Sequence, residues 1–403
     1  MNNPENNYLI VKDLNIVLNK EVILSNVNFS VKKGDFVSII GPSGSGKTTL
    51  LNSIANLIPK TSGTIMIDNH ENNLNIGYVF QDFNLYENIT VYQNIYLSVK
   101  NSFFWTVKRK LDFLKSFDVE NKFKILEFTT KIEKYLENNT NKRKVLAELQ
   151  QQHFLFFKKL LLQRKIKTAF KFLKQSSVKQ LAKQDIVEIA RNLNIEDLLF
   201  KKTMYLSGGQ KQRVSIAKAL AKKSSLILLD EPFAAFDAKL KEKTRDWLKT
   251  INQKFKITML FVTHDQNDAM LISDKIIFIS QKTIVQYDEP KNIFKNPANL
   301  AIAKFIGYPE IIFLEEKNKL NYYIRPKNIS IQFKENSTDY IKEIKTNGNI
   351  DILDIWSNKY QKVITVISDV NKHQINQKVI LIFDEKEILI FDELGNRVID
   401  EQI

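Results

Sequence analysis

The chain has no cysteine among its 403 residues, so disulfides and thiolate metal sites are excluded. That absence fits a reducing compartment. Long apolar runs are missing too. Leu226–Leu229 and Met259–Val262 fall far short of the roughly 20 residues a membrane-crossing helix needs. The opening Met1-Asn-Asn-Pro-Glu has no basic segment followed by an apolar one, so no secretory signal is expected. Glycine and proline are absent throughout 101–180, and acidic residues are scarce there: Asn101–Lys183 holds 20 Lys and Arg against 7 Asp and Glu. The net charge of +15 therefore sits almost wholly in that segment, and the rest of the chain is nearly neutral. Any affinity for nucleic acid or an anionic membrane belongs to it. Otherwise the composition is that of a soluble globular protein long enough for two or three domains.

What is present begins with strands. Tyr8–Leu18 and Phe29–Val31 alternate as short strands, and Phe36–Ile40 is an apolar run suited to a strand buried on both faces of a parallel sheet. It leads directly into Gly41-Pro42-Ser43-Gly44-Ser45-Gly46-Lys47-Thr48-Thr49 and an apolar helix over Leu50–Leu57. Gly-x4-Gly-Lys-Thr in strand–loop–helix context is a phosphate-binding loop. Its glycines let backbone N–H groups wrap phosphates, Lys47 reaches the terminal phosphates, and Thr48 ligates Mg²⁺. Thr64–Ile67 and Ile76–Phe80 read as further strands, the second ending at Gln81. Leu206–Arg213 contains Ser207-Gly208-Gly209-Gln210 ahead of a helix over Gln210–Ala221, an arrangement open both to an anion site and to an ordinary loop. Ser225–Glu231 is an apolar strand ending in two acids. Asp230 is suited to holding Mg²⁺ through water and Glu231 to polarising an attacking water, although Asp-Glu also caps helices. Ile257–Thr263 is a second buried strand, ending at His264.

With these pieces in this order, the chain resembles the ATP-binding subunits of ABC transporters over Leu9–Val99 and Ile186–Pro290. The resemblance implies an α/β P-loop NTPase core with a helical subdomain, and it implies ATP and Mg²⁺ as ligands. It makes Gln81 the Q-loop glutamine, sensing Mg²⁺ and the membrane partner. Ser207-Gly208-Gly209-Gln210 becomes the signature, Asp230 the metal-side acid, Glu231 the general base and His264 the switch histidine. Ala235-Phe236-Asp237 stands at the D-loop, with Phe for the usual Leu. In that family two subunits face head to tail, each ATP lying between one chain's phosphate loop and the other's signature. The adenine-stacking aromatic is missing: Val17-Leu18-Asn19-Lys20 offers only Leu18. The implied partners are a second ATPase subunit, transmembrane permease subunits and, indirectly, a solute-binding protein, at the cytoplasmic face of the cell membrane.

Gln81 and Ser207 are 126 positions apart, about twice what such relatives need, and the excess lies around 101–180. Leu111 and Leu114, then Phe128, Ile132 and Leu136, then Leu146 and Leu149, repeat at helical spacing and predict two or three helices. Phe154–Phe157 and Leu160–Leu162 exceed one stripe and predict packing on another surface. Two readings stand: a solvated basic hairpin, or a surface contacting anionic lipid head groups. No base-reading motif supports nucleic acid. The expected organisation is an ATPase domain over 1–285 with the insert at 100–182, connecting helices at 286–310 and a β-rich, TOBE-like domain at 311–403. Tyr323-Ile324-Arg325-Pro326-Lys327-Asn328-Ile329 resembles the Arg-Pro-Glu-x-Ile element of importer tails, with Lys327 for Glu. Gly307–Leu314 and Phe391–Arg397 resemble the sugar and glycerol-phosphate type, whereas Asn296–Gly307 is equally close to polyamine importers. The expectation is an ATPase energising carbohydrate or glycerol-phosphate import. Polyamine import is the alternative, and a soluble DNA-repair, chromosome-maintenance or translation ATPase is the competitor from another class.

Overall fold

A computed structural model describes residues 7–68, 70–71, 76–117, 125–137, 142–224, 226–234 and 236–399. Met1–Glu5, Ser225 and Ala235, and the side chain of Leu136, lie outside the described set. The chain forms two compact units, one of Met1–Ile39, Gly44–His264 and Gln281–Thr283, the other of Ile40–Ser43, Asp265–Ser280 and Ile284–Ile403.

In the first unit, β1 (Asn7–Leu18) pairs antiparallel with β2 (Glu21–Lys32) through a two-residue turn whose Asn19 and Lys20 have φ of 50° and 67°. Such a turn matches strand twist and suits Asn at its first position. β3 (Phe36–Ile40), a strand of another sheet, leads towards α1 (Lys47–Ile54). β4 (Ser62–Ile67) returns along β1, where a Cβ on Gly63 would lie 2.4 Å from the Asp13 carbonyl oxygen, so only glycine fits. β5 (His70–Glu71) closes this sheet, and β6 (Ile76–Val79) enters the other.

In that other sheet three neighbouring pairs are parallel. β3 pairs with β8 (Thr258–Val262), β8 with β7 (Leu226–Asp230), and β7 with β6. Every residue of β3, β7 and β8 is buried, as continuous Val/Ile/Leu runs require when both faces are covered. Parallel pairing puts the carboxyl ends of β6, β7 and β8 on one edge, and the loops that follow them hold Gln81, Glu231 and His264.

The helices are α2 (Val91–Lys100), then α3 (Phe103–Phe117), α4 (Ile125–Glu137), α5 (Lys142–Leu162), α6 (Ile166–Gln175), α7 (Val178–Asn192), α8 (Gly208–Ala221) and α9 (Ala238–Phe255). The predicted two or three insert helices are four among the described residues, α3 to α6. Arg164, at φ 58°, turns the chain between α5 and α6 without the glycine that usually marks such a break. Val107, Leu111, Ile132, Val145 and Leu149 form a core of their own. Beside it, the Phe172 ring packs 5.3 Å from Phe113, 5.3 Å from Phe117 and 4.9 Å from Phe156. The expected packing of Phe154–Phe157 and Leu160–Leu162 holds for Phe156 and Leu160 alone as buried side chains; Phe154, Leu155, Leu161 and Leu162 are exposed.

The second unit has α10 (Gln266–Ile272), β9 (Lys275–Ser280), β10 (Thr283–Asp288), α11 (Pro290–Lys295) and α12 (Leu300–Phe305), packed around Ala269, Ile276, Phe278, Ile293 and Ile302. Then follow β11 (Ile312–Lys317), β12 (Leu320–Ile324), β13 (Ile329–Phe333), β14 (Tyr340–Asn347), β15 (Ile350–Ser357), β16 (Lys362–Asp369), β17 (Val379–Phe383), β18 (Leu389–Phe391) and β19 (Arg397–Val398). They form sheets ordered β11-β12-β18-β19, β13-β17 and β14-β15-β16, so the predicted β-rich tail is present. Arg325 is buried and anchors this tail: Nη1 donates to Ile306 O at 2.6 Å and Nη2 to Phe294 O at 2.7 Å. Lys327, where the resembling element has Glu, sits over the Phe294 ring at 4.2 Å. No helix among the described residues is long and apolar enough to cross a membrane.

Candidate functional site

The chain enters α1 through two left-handed glycines, Gly44 at φ 77° and Gly46 at φ 94°. Gly46 is doubly constrained, because a Cβ there would come within 2.8 Å of Leu24 Cδ2. It stands at the N-cap without a side-chain cap, so the first-turn N–H groups look for acceptors from elsewhere. The buried hydroxyl of Ser45 has no partner among the described residues. Gly41, Pro42 and Ser43 complete the loop, with Pro42 and Ser43 exposed; Thr49 follows Thr48 into the helix, half-buried.

Thr48 Oγ1 donates to Asp230 Oδ1 at 3.1 Å, joining the phosphate loop to the end of β7. Asp230 is buried, and desolvation is the main cause that raises its pKa, while the Thr48 hydrogen bond and Lys47 oppose it. Lys47 is also buried. Desolvation lowers its pKa, and the charges of Glu231 and Asp230 counteract that. Cation and carboxylates thus support each other in a half-closed site.

Glu231 follows at φ 44°, its N–H donating to Val262 O at 3.0 Å. Left-handed backbone is unfavourable for a residue with a side chain, and here it turns the carboxylate out of the sheet's line. Glu231 Oε2 lies 3.3 Å from His264 Nδ1, so the two strand-end residues meet. Gln81 is exposed and makes no hydrogen bond among the described residues. Leu18 is half-buried at the end of β1.

Ser207 and Gln210 are occupied by helix capping. Gln210 N donates to Ser207 Oγ and Ser207 N to Gln210 Oε1, a capping box worth about 1 kcal/mol. Gly208 is half-buried. A Cβ on Gly209 would meet Leu240 Cδ2 at 2.7 Å, with the Phe236 ring close behind. Within the chain the capping contacts of Ser207 and Gln210 are with each other, whereas Thr48 contacts Asp230 and Glu231 contacts His264.

Three groups were not read from the sequence. The Tyr78 hydroxyl donates to Asn52 Oδ1 at 2.7 Å and lies beside Asp230, whose charge adds to burial in pushing the phenol's pKa up. Only the β6–β7 register, Tyr78 opposite Leu228, brings it there. Ser215 Oγ donates to Phe83 O at 2.9 Å, and Lys218 Nζ donates to Asn84 O, tying the turn after Gln81 to α8.

Residues 24–234 match the family described as ABC transporter. The chain belongs to the ABC transporter family. Within that family, the spermidine/putrescine import ATP-binding protein PotA of Mycoplasmopsis synoviae (strain 53) is 31% identical over 420 residues, covering 91% of this chain and 89% of that protein. The sulfate/thiosulfate import ATP-binding protein CysA of Mesostigma viride is 30% identical over 359 residues, covering 83% and 82%. Among solved structures, cbiO1 from Clostridium perfringens, part of the ABC transporter complex cbiONQ, aligns with a TM-score of 0.50 at 21% identity. It covers 72% of this chain and 92% of that one, a likeness of fold. An ABC transporter chain with this fold is an ATP-binding ATPase.

Proposed function

We propose that this chain is the ATP-hydrolysing subunit of an importer, peripheral at the cytoplasmic face of the cell membrane, and that the cargo is a polyamine. The observation that carries the ATPase reading is the 3.1 Å contact between Thr48 and Asp230, with Glu231 next in the chain. A hydroxyl from the phosphate loop and a strand-end carboxylate side by side are the donor set of a Mg²⁺ held through oxygen and water. The orphaned Ser45 hydroxyl and the uncapped start of α1 suit phosphate oxygens. Mg²⁺ bound there supplies charge neutralisation at the phosphates.

The chain's own groups supply the rest. Lys47 holds the terminal phosphates, and the loop glycines admit them to the backbone N–H groups. Glu231 accepts a proton from the attacking water, and His264, against its carboxylate, orients that base and the terminal phosphate. Gln81, exposed and without a hydrogen bond among the described residues, is available to the metal and to a permease. Leu18 gives adenine apolar contact only. The signature Ser207-Gly208-Gly209-Gln210 serves a second chain's nucleotide, so a head-to-tail dimer is the active form. In this reading 1–285 is the ATPase domain, 100–182 its insert, 286–310 the connecting helices and 311–403 the TOBE-like domain.

The cargo reading rests on the relatives. The motif likenesses lean towards sugar or glycerol phosphate, whereas the Mycoplasmopsis synoviae relative, matched over 91% of this chain, is named for spermidine and putrescine. The test is reconstitution of the chain with its cognate permease and solute-binding protein. Spermidine or putrescine should stimulate ATP hydrolysis and accumulate. Stimulation by a sugar or glycerol phosphate instead would overturn the cargo. Full hydrolysis without any permease would favour a non-transport ATPase.

A further inference from the structure

The tip of the insert carries a surface that ATP hydrolysis does not use. From 149 to 184 there is no acidic residue, while nine Lys and Arg occur. Helix α5 has two apolar faces there. Val145, Leu149, Phe156 and Leu160 are buried, and Phe154, Leu155, Leu161 and Leu162 point away from them at helical spacing, Phe154 63% and Leu162 75% exposed. Helix α6 repeats the pattern: Ala169 and Phe172 are buried, while Ile166, Phe170 and Leu173 form an exposed i, i+4, i+7 stripe. Arg164, Lys165 and Lys167 stand in and beside the turn between Leu162 and Ile166, with Lys171 and Lys174 along α6.

We infer that this α5–α6 tip docks on an anionic lipid surface, its aliphatic and phenyl side chains entering the acyl boundary and its cations meeting phosphate head groups. The partner's chemistry follows from the combination. Cations without a single acid select an anionic partner. Exposed Leu, Ile and Phe clustered on the same helices need an apolar phase beneath that charge, and a bilayer interface offers both. Nucleic acid fits less well, because Leu155, Leu161, Leu162 and Ile166 neither stack on bases nor hydrogen-bond to them. The inference goes beyond the transport reading and stands on the insert's surface alone.

The test uses the full-length chain sedimented with phosphatidylcholine vesicles, with and without phosphatidylglycerol, at low and high salt. Binding should require the anionic lipid. Exchanging Arg164, Lys165 and Lys167 together for Gln should weaken it roughly a hundredfold at low salt. Phe154→Ser, Leu162→Ser, Ile166→Ser and Phe170→Ser combined should weaken it with every charge intact, and both variants should keep the parent's ATP affinity. Failure to sediment with anionic vesicles at low salt overturns the inference. So does DNA or RNA binding as tight as vesicle binding and insensitive to the serine variant. A serine variant that turns a dimer into a monomer while vesicle binding persists would assign the face to a second copy.

Discussion

Strands β7 and β8 and helices α5 and α6 put apolar side chains to opposite use. In the strands every residue is buried, and the polar groups emerge only at the ends, as Asp230, Glu231 and His264. In the helices burial stops at one face, and a second apolar face is left outside among lysines. The first region uses its hydrophobicity to fix these side chains at the strand ends, where Glu231 meets His264 at 3.3 Å and Asp230 meets Thr48 at 3.1 Å. The second keeps part of it for a partner. Both lie in the same compact unit, so the difference reflects what each segment must meet.

The sharpest separation comes from Glu231→Gln. We expect hydrolysis to fall roughly a thousandfold while ATP binding and vesicle binding persist, since the amide keeps the shape and loses the base. Turnover near the parent's in a phosphate-release assay would remove Glu231 from the role. Next comes the joint between insert and core. Asp185, buried on α7, accepts from Trp105 Nε1 of α3 at 2.7 Å and pairs with Arg109 Nε at 3.1 Å. Asp185→Ala leaves a buried indole N–H and a guanidinium without their acceptor, at a cost of roughly 3 kcal/mol in denaturant unfolding. A loss below about 1 kcal/mol would mean the joint is held mainly by packing.

The smallest effect separates the regions by pH. His153 of α5 is buried beside Phe113 and Phe172, and burial, aided by the Lys110 charge, pulls its pKa from 6.5 to about 4 against the hydrogen bond to Leu149 O. The unfolded imidazole gains a proton near pH 6.5 that the folded one refuses until about pH 4. Its stabilising contribution is therefore complete above 6.5 and drains away as pH falls through that window, by about 2 kcal/mol at pH 5. Hydrogen exchange should show α5 amides opening more readily at pH 5 than at pH 7, with β7 and β8 unchanged. His153→Gln should flatten the response.

These regions also differ in how far they could be read. The Gly41–Thr49 loop was legible because glycine spacing, lysine and threonine leave few other uses for that pattern. The acids at the end of β7 were legible because a charged pair closes an all-apolar run. Gln81 and Ser207 are exposed and Leu18 is half-buried, and the roles read for them need a second chain and a nucleotide, which no one chain's sequence contains. In the insert, helix number was misread because Arg164 takes a left-handed turn that glycine normally signals. The apolar excess of α5 was visible, but periodicity alone cannot say which of two stripes faces inward. Tyr78 was missed because only strand register carries it to Asp230.

The ties from Ser215 and Lys218 to the turn after Gln81 have a mechanical meaning. Helix α8 is a stiff rod with Ser207 at one end, and Ser215 lies roughly 12 Å along it at 1.5 Å per residue. A push on the Gln81 turn would therefore work a crank: passed through these two ties, it would reach the rod rather than stay where it arrives. In the proposed dimer, Ser207 would in this way be geared to whatever touches Gln81 of its own chain.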